Sequence, residues 1–247
     1  MMPAASKVAV VTGGASGIGL ATCERLAADG FTLAVLDVDP DGAKSAAGEH
    51  GMGLRVDVSD AAKVDAAIAD VARTLDRIDV LVNNAGITGS AAATVCHETP
   101  LEEWDRVLAV NTRGPFLCAR AVLPVMLAQG AGHVITVASV AGLIAFPGRC
   151  AYTASKGAAL MLARSIAVDY AQAGIRSNAV CPGFVQTPMT QWRLDVPQLR
   201  TAVEQRIPMG RVAQPDEIAE AIALLASGRM SYLTGHALVI DGGWTAS

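Results

Sequence analysis

An α/β fold is what this sequence predicts: one domain, built on a parallel sheet with helices on both faces. Three observations carry that expectation. Short valine-rich runs alternate with helix-forming segments along the whole chain. The runs are apolar at consecutive positions rather than at every second one, the mark of strands buried on both faces. No linker, repeat or low-complexity tract divides the 247 residues, a common length for a single α/β domain. The domain is expected to span 1–247, with a first half of about 1–135 and a second of about 136–247.

The elements follow in order. "KVAVVTGG" predicts a buried strand that ends in a glycine turn. "IGLATCERLAADG" predicts a helix stopped by Gly30, since glycine caps helix C-termini. "FTLAVLD" reads as a second buried strand. "DAAKVDAAIADVARTL" sets Val64, Ala67, Ile68, Val71 and Leu75 on one stripe, which is an amphipathic helix. "IDVLVNNAG" and "HVITVAS" are two further strands, with a long helix from about Leu101 between them. "AYTASKGAAL" begins a helix that runs to about Ala173. "IRSNAVCPG" is a strand, "PDEIAEAIALLAS" a helix with Pro215 near its start, and "ALVIDGG" the last strand.

Composition narrows the function classes. Hydrophobic residues make up 52% and charged residues 17%, so the chain buries much of itself and is not disordered. The net charge is −4 and no basic run stands out, which argues against nucleic acid or an anionic membrane surface as partner. The N-terminus is not expected to be a signal peptide, because its apolar run is short and leads into the glycine turn. Between Arg120 and Arg149 there is no Asp, Glu, Lys or Arg, a stretch long enough to span a bilayer. Pro124, Gln129, Gly130, Gly132, His133, Gly142 and Pro147 break it into a helix end, a strand and a loop, so no membrane span is expected. The five cysteines (Cys23, Cys96, Cys118, Cys150 and Cys181) are odd in number and lack C-x-x-C spacing. They read as free thiols in a reducing, cytoplasmic setting, with no metal site.

Two features point to chemistry. "TGGASGIG", Thr12 to Gly19, follows the first strand and opens the first helix. In that context Gly13, Gly17 and Gly19 allow a tight turn and close approach of a ligand, with Ser16 and Ile18 beside them. Free N–H groups at the helix start then meet a pyrophosphate. Asp37 ends the second strand, eighteen residues after Gly19, where a dinucleotide fold sets an acid on the adenosine ribose. A carboxylate there repels a 2′-phosphate, and Gly14, Ala15, Ser16 and Val38 supply no cation to neutralise one. The expected cofactor is NAD(H) in preference to NADP(H). The second feature is Tyr152 with Lys156, four apart on one helix face, with small residues between them.

These motifs resemble the short-chain dehydrogenase/reductase family in its compact single-domain form, over essentially the whole chain. The resemblance rests on "TGGASGIG", "NNAG" at Asn83–Gly86, Asn111 in "VNTRG", Ser139, Tyr152 with Lys156, and "PGFVQT" at Pro182–Thr187. It implies a Rossmann-type, doubly wound, seven-stranded sheet. The first half would hold the cofactor and the second half catalysis and substrate. It implies NAD(P)-linked interconversion of alcohols and ketones, with Asn111, Ser139, Tyr152 and Lys156 as the catalytic tetrad. Asp57 and Val58 match the adenine contacts, and Asn83, Ala85 and Gly86 the segment flanking the adenine ribose. Val110 is a further cofactor contact. Pro182, Gly183, Val185 and Thr187 match the stretch that holds the nicotinamide carboxamide. The family role of Asn111 is to hold a water that links Lys156 to solvent, and the family lysine also contacts the nicotinamide ribose. A homotetramer is implied as well, with the tail near a subunit interface; Trp244 is expected to be buried either against a neighbour or on its own subunit.

The chemistry agrees with that assignment. Oxidation needs a phenolate, yet a free tyrosine has a pKa near ~10. Lys156 and an oxidised nicotinamide are two positive charges that would lower it. Ser139, at the C-terminal end of a strand, can hydrogen-bond the substrate oxygen. Taken singly, Tyr152 reads as an amphipathic core residue and Lys156 as a solvated one. It is their company that makes them functional.

Three loops are expected to wall the substrate pocket: "VAGLIAFPGRC", "ITGSAAATVCHE" and "FVQTPMTQWRLDVPQLR". Met189, Trp192 and Leu194 in the third form an apolar lid in this reading. Arg149 and Arg193 could each bind a substrate carboxylate, but the preferred expectation is that they are solvated or make interchain ion pairs. The leading function is an NAD-dependent secondary-alcohol dehydrogenase or ketone reductase. The alternatives are a 3-oxoacyl thioester reductase, against which Asp37 counts, and a non-catalytic nucleotide sensor, against which the complete tetrad counts.

Overall fold

A computed structural model describes residues 6–246 of the chain, so the N-terminal expectation for residues 1–5 lies outside the described residues. Strands and helices alternate as β1 (Val8–Thr12), α1 (Gly17–Ala28), β2 (Thr32–Asp37), α2 (Pro40–Ala47), β3 (Met52–Arg55), α3 (Ala61–Leu75) and β4 (Val80–Asn83). Then come α4 (Leu101–Leu108), α5 (Gly114–Gln129), β5 (Gly132–Val137), α6 (Cys150–Tyr170) and β6 (Ile175–Pro182). The chain closes with α7 (Pro188–Leu194), α8 (Pro197–Glu204), α9 (Pro215–Ala226) and β7 (Ala237–Ile240). Among the described residues the strands form one parallel sheet in the order β3-β2-β1-β4-β5-β6-β7.

The consecutive apolar residues of the strands are explained by two cores. In β1, Val8 and Val10 face one cluster while Ala9 and Val11 face the other. In β4, Leu81 joins the first and Val80 and Val82 the second. The first core takes Val64, Ile68 and Val71 of α3 with Val122 and Met126 of α5. The second takes Leu26 of α1 with Ile218, Ile222 and Leu225 of α9. Each Cβ alternates across the strand, so a run that is apolar at every position needs a helical layer on both sides.

Chain order reverses between β1 and β4, so the helices after these strands lie on opposite faces and a crevice opens at their C-terminal ends. The helix starts beside it differ. Asp39 caps α2 through the Asp41 and Gly42 N–H groups at 3.2 Å each, and Asp60 caps α3 through Ala62 and Lys63 at 3.1 and 3.2 Å. The N-cap of α1, Ser16, makes no side-chain cap bond, and its first turn carries no acid.

The structure corrects several local expectations. The helix from Leu101 is interrupted by one π-turn, Ala109–Arg113, between α4 and α5. Pro124 does not end a helix: α5 runs through it and stops where Gly130 takes φ 66°. The Tyr152 helix ends at Tyr170, and Ala171–Ala173 form a 3₁₀ turn. Helices α2, α7 and α8 had no counterpart in the sequence reading, since they are seven or eight residues long and show no full stripe. Among the described residues no helix is long and apolar enough to cross a membrane, and no group of His, Cys, Asp or Glu is placed to hold a metal ion. All five cysteines are free.

Candidate active site

A cavity of about 840 Å³ lies over the C-terminal ends of the strands. One end is floored by the glycine turn after β1. Gly13 has φ +64°, and a Cβ there would stand 2.8 Å from the Ala85 Cα, so only glycine lets β1 and the segment after β4 close together. Asn84 locks that approach. Its Nδ2 donates to the carbonyls of Thr12 and Gly13 at 3.0 and 2.9 Å, and its backbone N–H donates to Thr12 Oγ1 at 3.0 Å. The open N–H groups of α1 face this end, where Ser16, Gly17 and Ile18 line the cavity. That is a cradle of the kind an anionic pyrophosphate needs.

Asp37 is tied to the same turn. Its Oδ2 accepts from Ala15 N and its Oδ1 from Asp39 N, both at 3.0 Å. Val38, Asp57, Val58, Ala85, Gly86, Val110, Pro182, Gly183, Val185 and Thr187 line the cavity beside it. Three residues of the sequence-derived set do not. Gly19 lies one turn inside α1, where a Cβ would fall on the Gly13 carbonyl oxygen. Asn83 is only 2% exposed and its Nδ2 points to Pro115 O at 3.4 Å. Asn111 stands behind the cavity wall. The residue missed was Asn84, and the doubled asparagine of "NNAG" was the signal for it.

Ser139, Tyr152 and Lys156 come together at the other end. Ser139 Oγ accepts from Ala141 N at 3.0 Å and caps the 3₁₀ turn Val140–Gly142 after β5. A Cβ on Gly142 would lie 2.7 Å from the Lys156 carbonyl oxygen, so the turn packs directly on α6 and holds Ser139 against Tyr152. Burial pushes the Tyr152 phenol above its ordinary pKa, and the hydrogen bond from Ser139 offsets part of that. Lys156 is 5% exposed; its Nζ donates to Val137 O at 2.9 Å and lies 5.9 Å from the Tyr152 ring centre. In the free chain, then, burial rather than the lysine charge governs the phenol.

Asn111 sits in the π-turn, which swings its amide inward. Nδ2 donates to Ile87 O at 2.8 Å and to Ser155 Oγ at 3.0 Å, and Oδ1 accepts from Ile87 N at 2.8 Å. Both side-chain hydrogens are used to bind the loop after β4 to α6.

Burial moves the Lys156 pKa from 10.5 down to about 8. Between those values the unfolded chain binds more protons, so this residue's contribution to stability is lowest below about pH 8 and rises through the window. Lys156→Met is therefore expected to raise Tm at pH 7. It relieves a penalty of about 3 kcal/mol, partly offset by about 1 kcal/mol for the lost bond to Val137. The gain should shrink toward pH 10, and activity should be lost. Thermal melts at pH 7 and 9.5 check the first two statements.

At the substrate end, Met189 and Trp192 of α7 line the cavity as expected, but Leu194 does not. It is buried under the lid with Val203, Ile207 and Val212, because its position on α7 points to the body of the protein. Trp244 lines the same cavity and meets Phe146 edge-on, with ring centres 5.3 Å apart. Within the chain it packs on Phe146, the second of the two placements that the sequence left open.

Fold and site together define a dinucleotide-fold oxidoreductase. A family model described as enoyl-(acyl carrier protein) reductase matches residues 13–245. The 2-(R)-hydroxypropyl-CoM dehydrogenase of Xanthobacter autotrophicus is 52% identical, covering 98% of this chain and 99% of that protein. The cyclopentanol dehydrogenase of a Comamonas species is 40% identical, covering 98% of each. The crystal structure of levodione reductase superposes with a TM-score of 0.91 at 36% identity, covering 98% of both chains. The chain belongs to the short-chain dehydrogenase/reductase family.

Proposed function

We propose that this protein interconverts a secondary alcohol and its ketone with NAD(H) in preference to NADP(H), with Tyr152 as proton carrier. One observation carries the reading: Tyr152, Ser139 and Lys156 line the same cavity as the uncapped glycine turn. The names of the relatives, hydroxypropyl-CoM and cyclopentanol dehydrogenase, are those of secondary-alcohol enzymes and support it.

Hydride transfer is the chemistry that a nicotinamide dinucleotide would supply when bound. The residues of this chain handle the rest. Gly13, Ser16, Gly17 and Ile18 hold the pyrophosphate end, and Asp37 reads the ribose hydroxyls. Asp57 and Val58 flank the adenine, while Pro182, Gly183, Val185 and Thr187 hold the carboxamide end. Ser139 orients the substrate oxygen and Tyr152 gives it, or takes from it, the proton at the phenol oxygen. With the dinucleotide bound, Lys156 would exchange the Val137 carbonyl for the ribose and bring its charge to bear on the phenol. Asn111 positions Ile87 and Ser155 around that lysine, and its remaining acceptors hold the relay water.

The test is a panel of secondary alcohols and ketones, followed by the absorbance of the reduced nicotinamide with each cofactor. Turnover with NAD above that with NADP is the expected result, and turnover only of an acetoacetyl thioester with NADPH refutes it. That second reading, a 3-oxoacyl thioester reductase, draws on the description of the matched family model. The Asp37 carboxylate opposes it. A stabilising shift with NADH but no turnover of any substrate would mark a nucleotide sensor.

A further inference from the structure

Charge is divided sharply along the cavity. The acids that line it are Asp37 and Asp57, both at the adenosine end. The substrate end is lined by Arg149, Arg193 and Arg206 and by no carboxylate. Arg206 is exposed at the mouth, while Arg149 and Arg193 are half-buried.

Arg149 stands three residues before Tyr152, at the N-cap of α6, and its Nη1 donates to Ser90 O at 3.4 Å. Arg193 comes from the lid helix α7, and its guanidinium lies 5.0 Å from the centre of the Trp192 ring. Among the described residues neither forms an ion pair. Other arginines on nearby elements do: Arg106 with Glu103, Arg200 with Glu204 and Arg211 with Glu217. The two cations also sense each other. Burial first, and the Arg149 charge second, press the Arg193 guanidinium below its ordinary range. Among the described residues, then, no carboxylate of the same chain meets either charge. Two half-buried like charges are unfavourable without an anion between them, and the described residues that line the cavity there supply none.

We infer that Arg149 and Arg193 form an anion subsite, so that the alcohol or ketone held at Tyr152 carries a terminal sulfonate or carboxylate. The inference rests on the proposed alcohol–ketone chemistry and names its substrate class. Guanidinium groups present forked donors that match such oxyanions. Met189, Trp192 and Phe146 line the cavity alongside them and suit an apolar chain between the reacting carbon and the anion. A charged end clamped by one residue of α6 and one of the lid also ties lid closure to the correct substrate.

The experiment compares 5-hydroxyhexane-1-sulfonate, 6-hydroxyheptanoate and neutral 2-heptanol, which differ only in the terminal group. Wild type is expected to favour at least one anionic alcohol over 2-heptanol by about 30-fold or more in kcat/KM, and the ratio of the two says which oxyanion fits. Arg149→Met and Arg193→Met should each lower kcat/KM on the favoured anion about 10- to 100-fold, mostly through KM, with 2-heptanol changed less than about threefold. Equal use of charged and neutral alcohols by wild type, or equal losses on both in the two variants, overturns the subsite. If no alcohol is oxidised, the catalytic proposal fails separately. Calorimetry with pentane-1-sulfonate, which has no hydroxyl to react, then decides the subsite. Binding to wild type that weakens in both variants supports it; no binding, or binding unchanged in the variants, overturns it.

Discussion

Tyr152→Phe is expected to lower turnover by about 10³-fold or more while NADH binding stays within about threefold of wild type. Phenylalanine fills the same space on α6, so packing is kept and only the hydroxyl is removed. That hydroxyl is bonded to Ser139, and burial already holds it above its ordinary pKa. Losing this one bond costs on the order of 1 kcal/mol of stability. The loss in rate is larger because the phenol is the group assigned to carry the proton, and phenylalanine has none to give or take. Steady-state rates together with NADH fluorescence titration separate the two effects. Activity near that of wild type would remove Tyr152 from its assigned role, and loss of NADH binding would make it a cofactor residue first.

The second large effect concerns Asp37. Asp37→Asn is expected to lower kcat/KM for NAD about 10- to 100-fold, because the amide keeps the shape but loses the charge that strengthens its bonds to ribose hydroxyls. The bond from Ala15 N, at 3.0 Å, is weakened as well, so Tm should fall slightly. Pairing Asp37→Ser with Val38→Arg should reverse the preference toward NADP. Val38 is 63% exposed, so an arginine there has room to meet a 2′-phosphate. Kinetics with both cofactors read the ratio directly. A wild-type preference for NADP, or a ratio unmoved in the double variant, would refute the role given to Asp37.

The parts of this protein that were legible in the sequence share a physical cause. A strand buried on both faces is apolar at consecutive positions, and the runs Val8–Val11, Leu33–Leu36 and Val80–Val82 show that. A turn that needs φ +64° at Gly13 and leaves no room for a Cβ must be written in glycine. A proton carrier and its cation must share a helix face, so Tyr152 and Lys156 fall four apart. The short lid helices α7 and α8 carry no such constraint over enough residues to show a period, so their sequence is indistinguishable from that of a loop. The π-turn was hidden for a related reason: it inserts no marker residue and only shifts the phase between α4 and α5.

By itself, then, the sequence determined the alternation of elements, the two-faced burial of the sheet, the glycine turn and the Tyr–Lys pair. Each of these is a local demand of backbone geometry or of one helix face. Tertiary structure alone decided the rest. It set Asn84 rather than Asn83 at the cavity, turned Leu194 under the lid, and brought Trp244 onto Phe146. It also drew Arg149 and Arg193, forty-four residues apart, to the same cavity wall with no acid between them. Which side of a helix or loop meets the cavity depends on packing between segments distant in the chain, and no local pattern records it.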